Sequence, residues 1–360
     1  MARSFKNLLG DDSVTTRTLL HEAIPITGTI SSGTYQNAPG DETSIKTFTH
    51  GMFESVYDYP FLSSSANHIY DLTFGHSSNA SSSAATMIQN GKKLNIYNQM
   101  AQVLMGYDVS GNIRKFDSDG TLDDSSGEMN HCFFANFSRL LTKDEIKKNT
   151  FRIKLYTSGT VSVDGTGRRT AQTIGDYLSA NQFRTSPAGD YGLLFTGSGV
   201  AAGEEAQSVG LVFYQAGVAV LTSSIFLQEF GAPGDEETVG DAHAANTGIN
   251  FAMTASTIEK LANGFRHMLD DIDFNNTIEL NSQIYFCRIN HNEYNYSANP
   301  TYVSGSKIRV KNNVNDLPVS YITTVGLYSP DNELMAVAKL SEPIRKDPNT
   351  ELTLRVRLDY

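Results

Sequence analysis

The chain has 360 residues, 39% of them hydrophobic and 19% charged, which is enough to build one large domain or two ordinary ones around a sizeable core. Its formal net charge is −11, and its basic residues cluster only in pairs, so a surface that grips nucleic-acid phosphates is not expected. Two cysteines, Cys132 and Cys287, lie far apart in the sequence and form neither a zinc pattern nor a disulfide framework.

Residues 1–47 predict an extended N-terminal arm, because they lack helical periodicity and carry scattered apolar residues such as Leu19 and Leu20. We expect a neighbouring subunit to cover these side chains. No apolar segment of the secretory type follows Met1. The most apolar window, residues 209–227, contains a Gln-Ala-Gly turn and predicts a β-hairpin rather than a membrane span.

Residues 48–149 predict a mixed helical and β region. Apolar residues recur at helical spacing over residues 84–106, and Gly106 stands where a helix C-terminus would be capped. A phenylalanine-rich stretch, roughly residues 131–141, predicts a second helix. Thr142 and Glu145 follow it at the spacing of a capping box.

Residues 150–360 predict a β-rich domain with one helix near 256–269, which Ser256 and Glu259 would open as a capping box. The predicted strands are 150–157, 191–196, 209–215, 218–226, 283–290, 318–328, 334–340 and 351–358. Runs of strands with few helices predict a mainly β (α+β) fold. We expect an antiparallel sandwich or barrel-like body with the extended N-terminal arm attached.

The segment Phe116-Asp-Ser-Asp-Gly-Thr-Leu122 is similar to the nucleophile loop of haloacid dehalogenase-type phosphatases. In that family the loop ends a buried apolar strand, whereas residues 111–116 here carry two cations. The sequence therefore predicts an exposed Asp-Gly turn. Calcium binding between Asp117 and Glu128 stays open, since the carboxylates are numerous but miss the EF-hand spacing.

Other chemical motifs are weak. Residues 197–203 contain three glycines after an apolar strand, but two glutamates follow them, which disfavours a bound pyrophosphate. The eight histidines show no spacing typical of a metal or hydrolytic site. The sequence predicts no enzyme, no catalytic residue, no cofactor and no metal ligand.

Two tyrosine-rich blocks remain as candidate contact surfaces. Tyrosine rings bury a large area at low entropic cost and keep a hydroxyl for hydrogen bonding, so they are enriched at interfaces. The alternative is that they only hold their own loops together. The predicted interface residues are Tyr57, Tyr59, Phe61, Tyr294, Tyr296 and Tyr302.

Four segments carry a resemblance to a known class of proteins: residues 48–61, 210–221, 287–302 and 352–360. They resemble structural proteins of tailed bacteriophages, and in particular virion proteins of contractile-tailed phages that infect marine cyanobacteria. The resemblance implies a non-enzymatic part of the tail, at the baseplate or neck, assembled in the host cytoplasm.

That resemblance also implies partners. These are other virion proteins and copies of the same chain in a symmetric homo-oligomer, with no nucleic acid and no membrane. A head-associated or fibre-attachment protein is the nearest alternative. A host-receptor or glycan-binding module is an alternative of a different class, and a phosphatase built on Asp117 and Asp119 is a distant third.

Overall fold

The computed structural model describes residues 5–25, 43–80, 88–121, 127–158, 170–197, 208–226, 255–296, 303–304, 307–308, 315 and 317–360. They form two compact units, residues 20–278 and residues 1–19 with 279–360. The fold is mainly β and antiparallel with few helices, as predicted. The three-part organisation predicted from the sequence, with divisions after residues 47 and 149, stays a prediction.

The described residues contain eighteen strands and three α-helices. The strands are β1 Ser13–Pro25, β2 Ile45–Lys46, β3 Glu54–Tyr57, β4 His68–His76, β5 His131–Phe137, β6 Glu145–Ile146, β7 Arg152–Ser158, β8 Thr170–Gly175, β9 Arg184–Ser186, β10 Gly189–Thr196, β11 Ser208–Phe213, β12 Val218–Thr222, β13 Leu269–Ile289, β14 Val303–Ser304, β15 Lys307–Ile308, β16 Ser320–Tyr328, β17 Leu334–Lys346 and β18 Leu352–Asp359. The helices are α1 Asn90–Leu104, α2 Arg139–Thr142 and α3 Ile258–Met268. Each of the eight predicted strands overlaps an observed one.

Within residues 20–278 the main sheet has the strand order β13-β7-β8-β10-β11-β12-β5-β4-β3-β2. It curls around an aromatic core, since Phe137 on β5 lies 5.3 Å from Phe274 on β13, although the two strands are far apart in that order. The described strands form no closed barrel. The window 209–227 forms the predicted hairpin of β11 and β12.

Residues His131–Phe137 form strand β5, so the helix predicted over residues 131–141 is wrong. β5 pairs with β4 on one side and β12 on the other. Phe133 and Phe134 point to opposite faces, and both are almost fully buried in the two separate cores. A strand buried on both faces is a continuous apolar run, which periodicity cannot distinguish from a buried helix.

Only one helical turn, α2, follows β5. Thr142 lies inside it with a buried hydroxyl that has no hydrogen-bond partner among the described residues. Glu145 lies in β6 instead of reaching back to a helix N-terminus. The predicted capping box from Thr142 to Glu145 is therefore wrong.

Helix α1 confirms the predicted amphipathic helix from Asn90 onward, while predicted positions 84–87 lie outside the described residues. It lies directly on β4 at Gly75. A Cβ atom at Gly75 would be 2.8 Å from the Tyr97 backbone nitrogen and 2.9 Å from the Lys93 carbonyl oxygen. Glycine at this position allows the close approach that brings Lys93 beside the end of β4.

Helix α3 is confirmed, but its N-cap is Thr257 rather than Ser256. The Thr257 hydroxyl accepts a hydrogen bond from the Lys260 N–H at 3.2 Å. The predicted apolar face is buried, with Ile258 and Leu261 fully covered.

We expect Thr257→Ala to lower the free energy of unfolding by about 1 kcal/mol, because it removes the acceptor for one N–H of the first turn. Ser256→Ala is the matched control and should change stability much less. Urea unfolding of both variants measures the difference. Equal losses in the two variants would contradict the cap assignment.

In the unit formed by residues 1–19 and 279–360, the second half of β13 pairs with β18 from Ser282↔Asp359 to Ile289↔Leu352. β16 and β17 form a separate two-stranded sheet, and so do β14 and β15. Strand β1 lies beside β13 in the sheet order, so the described part of the arm pairs within its own chain. Leu19 and Leu20 remain about half exposed.

Candidate functional site

The first predicted contact group lies around the end of β3. The Tyr57 ring is half-buried and packs edge-on against the His68 imidazole, with ring centroids 5.6 Å apart. Phe61 is also half-buried, and its N–H donates to the Thr43 carbonyl. Tyr59 is 51% exposed. Tyr57 and Phe61 therefore stabilise their own loop, and Tyr59 is the member with a free ring surface.

The second group lies in the loop after β13. Tyr294 is half-buried with a left-handed backbone (φ 51°), and its carbonyl accepts a hydrogen bond from the Ser320 hydroxyl. Tyr296 is 52% exposed. Tyr302 lies outside the described residues. An intermolecular role for either group stays a prediction.

The loop after β13 anchors the base of the β16–β17 hairpin. Ser320 and Lys346 are register partners, and both are buried. The Lys346 ammonium donates to the His291 carbonyl at 3.1 Å and to Asn295 Oδ1 at 2.6 Å. A fully buried ammonium with several acceptors holds the hairpin base in one position.

Beyond its base, the β16–β17 hairpin has two distinct faces. Register pairs such as Ile322↔Ile344 and Val325↔Ala338 form a half-buried aliphatic face. Within the part of the chain that the structure describes, β16 and β17 form a sheet of their own that no other strand joins. An isolated two-stranded hairpin is only marginally stable in water, so this one needs further covering.

An exposed apolar patch lies near the hairpin turn. We define the tip patch as Tyr328, Leu334, Met335 and Val337, which are 47%, 52%, 70% and 52% exposed. Gly326 lies beneath it, because a Cβ atom there would be 3.0 Å from the Tyr328 ring and 3.3 Å from Leu334. The Phe5 ring contacts Tyr328 edge-on at 4.9 Å.

The sequence predicted both strands of the hairpin but not its exposure. The apolar residues of β17 do not by themselves indicate which of them lie at the surface. Only the register and the surrounding contacts identify the tip patch as a surface feature.

A second feature is a basic cluster of His76, Lys93 and His131 in the other compact unit. His76 and His131 are direct partners at the end of the β4–β5 ladder, with ring centroids 6.2 Å apart. Both imidazoles are at least 96% buried. His76 Nδ1 lies 3.0 Å from the Ser77 carbonyl, and neither imidazole Nε2 has a hydrogen-bond partner among the described residues.

Lys93 completes the cluster from the first turn of α1. Its side chain is fully buried, and its ammonium donates to the Ser256 carbonyl at 2.6 Å, just before α3. It also lies 5.6 Å from the centre of the Phe74 ring. The Ile258 N–H donates to the Gln89 amide oxygen at 3.0 Å, so the N-termini of α1 and α3 meet beside Lys93.

Burial dominates the electrostatics of the basic cluster. It lowers the pKa of Lys93 from 10.5 to about 7. Burial first, and then the charges of His76 and Lys93, lower the pKa of His131 to about 4. The pKa of His76 is lowered by burial and by Lys93, against hydrogen bonds that raise it. The cluster is therefore largely uncharged above neutral pH.

The Asp117 loop forms the predicted turn, but Asp117 is not exposed. Its carboxylate is buried and accepts the N–H groups of Asp119 and Gly120 at 3.0 and 3.1 Å. Burial, followed by the neighbouring Asp119, raises the pKa of Asp117 to about 7. Glu128 bonds Lys115 at 3.1 Å.

The described residues do not assemble a metal site. They contain no group of three His, Cys, Asp or Glu side chains placed to bind one ion. Asp123 and Asp124 of the calcium hypothesis lie outside the described residues, so that hypothesis stays open. None of the described helices is long and apolar enough to span a bilayer.

Both cysteines are free, as predicted. Cys132 is buried and Cys287 is half-buried. Comparison of the chain with family models, with curated proteins and with solved structures found no match.

Proposed function

We propose that this chain is a structural subunit of a virus particle that works by assembling with copies of itself. The resemblance described above supports a location in a contractile phage tail, at the baseplate or neck, with other virion proteins as further partners. The single observation that carries the self-assembly is the exposed tip patch, which lies on a hairpin that no other described strand extends.

Charge favours a second copy as the occupant of the tip patch. Residues 320–346 contain three acidic and three basic side chains, so the hairpin is neutral within a chain of net charge −11. Two copies repel one another over most of their surface, but this repulsion is weakest where the neutral hairpins meet. A strongly basic partner would gain little from the same contact.

The exposed area also suits a subunit contact. A standard interface buries about 800 Å² on each partner. The four tip-patch side chains and Tyr321, which is 64% exposed, supply a large part of such an area on one short segment. Hairpins from two copies would thereby cover apolar side chains that are exposed on each copy alone.

We expect Val337→Glu to weaken self-association at least about tenfold, since it buries an unpaired carboxylate in the contact. Ser341→Glu is the matched control, because it adds the same charge at another exposed position of β17. Sedimentation velocity over a range of protein concentrations measures the subunit number. A purely monomeric wild-type chain, or equal effects of both substitutions, would contradict self-assembly through this patch.

The virion location has its own test. Purified particles from cells that carry the gene should contain the chain at a symmetric tail or neck position in a cryo-EM map. Absence of the chain from such particles would overturn the virion role, even if the purified protein self-associates.

A further inference from the structure

We propose that His76, Lys93 and His131, together with the N-terminus of α1, form a binding site for a small oxyanion that is taken up with one or more protons. The site belongs to the compact unit of residues 20–278, whereas the hairpin belongs to the other unit, and the site does not depend on the proposed assembly role.

The imidazoles of His76 and His131 each bury an Nε2 atom in a way that a purely structural role does not explain. A buried polar atom without a hydrogen bond costs free energy, and native proteins seldom leave one uncompensated. Here two Nε2 atoms on adjacent strands lack partners among the described residues. Protonated imidazoles could donate both N–H groups to an anion.

The surrounding backbone and charge favour an anion over a cation. The N-cap residue of α1 is Gln89, whose side chain caps no N–H of the first turn. Helix N-termini with free N–H groups carry partial positive charge and bind sulfate, phosphate and carboxylate groups. The Asn90 side chain, at the start of α1, also lies close to His76.

The other charged groups near the basic cluster do not remove its preference for an anion. Neither His76 nor His131 forms an ion pair with a described carboxylate, and the Lys93 ammonium donates to the Ser256 carbonyl. Glu54 on β3 pairs with Leu72, four residues from His76 along β4. Glu259 is exposed in the first turn of α3, and Lys92 points to the His50 carbonyl. A metal ion bound by the two imidazoles would have to approach the Lys93 ammonium.

Proton uptake follows from the burial of the cluster. Without an anion, burial keeps the bases largely neutral above neutral pH. An anion stabilises their charged forms and so raises their pKa values on binding. By linkage, the affinity must then increase as the pH falls.

Sulfate is a suitable probe, because its charge does not change in the relevant pH range. We expect isothermal titration calorimetry to detect binding of sodium sulfate. Sodium chloride at the same ionic strength is the control and should give no binding signal. Affinity should be about tenfold higher near pH 6 than near pH 8. Titrations in buffers of different ionisation enthalpy should show net proton uptake.

Two variants localise the effect. His131→Gln and Lys93→Met should each weaken sulfate binding at least about tenfold. Lys92→Met, which removes the exposed neighbouring lysine, should leave binding unchanged. Circular dichroism confirms that each variant is folded before titration.

Three outcomes would overturn the proposal. One is the absence of sulfate binding beyond chloride. Another is binding that Lys93→Met and His131→Gln leave intact. The third is tight zinc binding that strengthens with rising pH and is lost in His131→Gln, which would identify the imidazole pair as a metal site instead.

Discussion

We expect Lys93→Met to raise the free energy of unfolding by about 2–4 kcal/mol near pH 7 in sulfate-free buffer. Lys93 is fully buried, and its pKa falls from 10.5 to about 7. The folded chain therefore binds fewer protons than the unfolded chain between those two values. Stability of the wild type must rise with pH across that window, and the advantage of methionine must shrink toward pH 10.

Urea unfolding at several pH values measures this effect. Lys92→Met is the control, because the same change at an exposed position should alter stability by only a few tenths of a kcal/mol. The lost hydrogen bond from Lys93 to the Ser256 carbonyl offsets part of the gain. Lys93→Met could instead lower the free energy of unfolding by the same amount at every pH. That result would show that the buried ammonium does not destabilise the fold.

At Asp176 we expect a loss of stability: Asp176→Ala should lower the free energy of unfolding by about 3–5 kcal/mol. Its buried carboxylate accepts four hydrogen bonds. The donors are the Asn149 N–H at 2.7 Å, the Ser179 hydroxyl at 2.7 Å, the Tyr214 hydroxyl at 2.9 Å and the Arg152 guanidinium at 2.9 Å. Removing the acceptor leaves several buried donors without a partner.

Asp190→Ala is the matched control for this network. Asp190 pairs with Lys148 at 2.6 Å but is partly exposed, and partly exposed ion pairs contribute at most about 1 kcal/mol. Thermal and urea unfolding of both variants compares the two sites. Equal losses would mean that the four hydrogen bonds to Asp176 do not act as one buried network.

The two buried charges lie in different surroundings. Asp176 receives hydrogen bonds from three side chains and one backbone N–H, which lower its pKa, although burial raises it by more. The Lys93 ammonium donates to the Ser256 carbonyl and lies beside two other bases. The buried imidazole Nε2 atoms next to it, which lack partners among the described residues, are why the basic cluster carries the anion proposal.

Local patterns were reliable where one face of an element is buried. Helices α1 and α3 carry apolar residues at helical spacing, and β16 and β17 alternate, so their type follows from the sequence. The same reasoning failed at β5, because both of its faces are buried and the alternation disappears. It also assigned the α3 cap to Ser256 instead of Thr257, since both residue types are favoured at N-caps, and it predicted a capping box at Thr142 that does not form.

By itself, the sequence determined that the chain is mainly β, that α1 and α3 are helices and that residues 209–227 contain a hairpin. These properties depend on side-chain order along a few residues. The tertiary structure alone decided that His76 and His131 face each other, that Lys93 joins them from α1, and that the tip patch is exposed. Those facts depend on strand pairing and on layers contributed by distant parts of the chain, which no local pattern encodes.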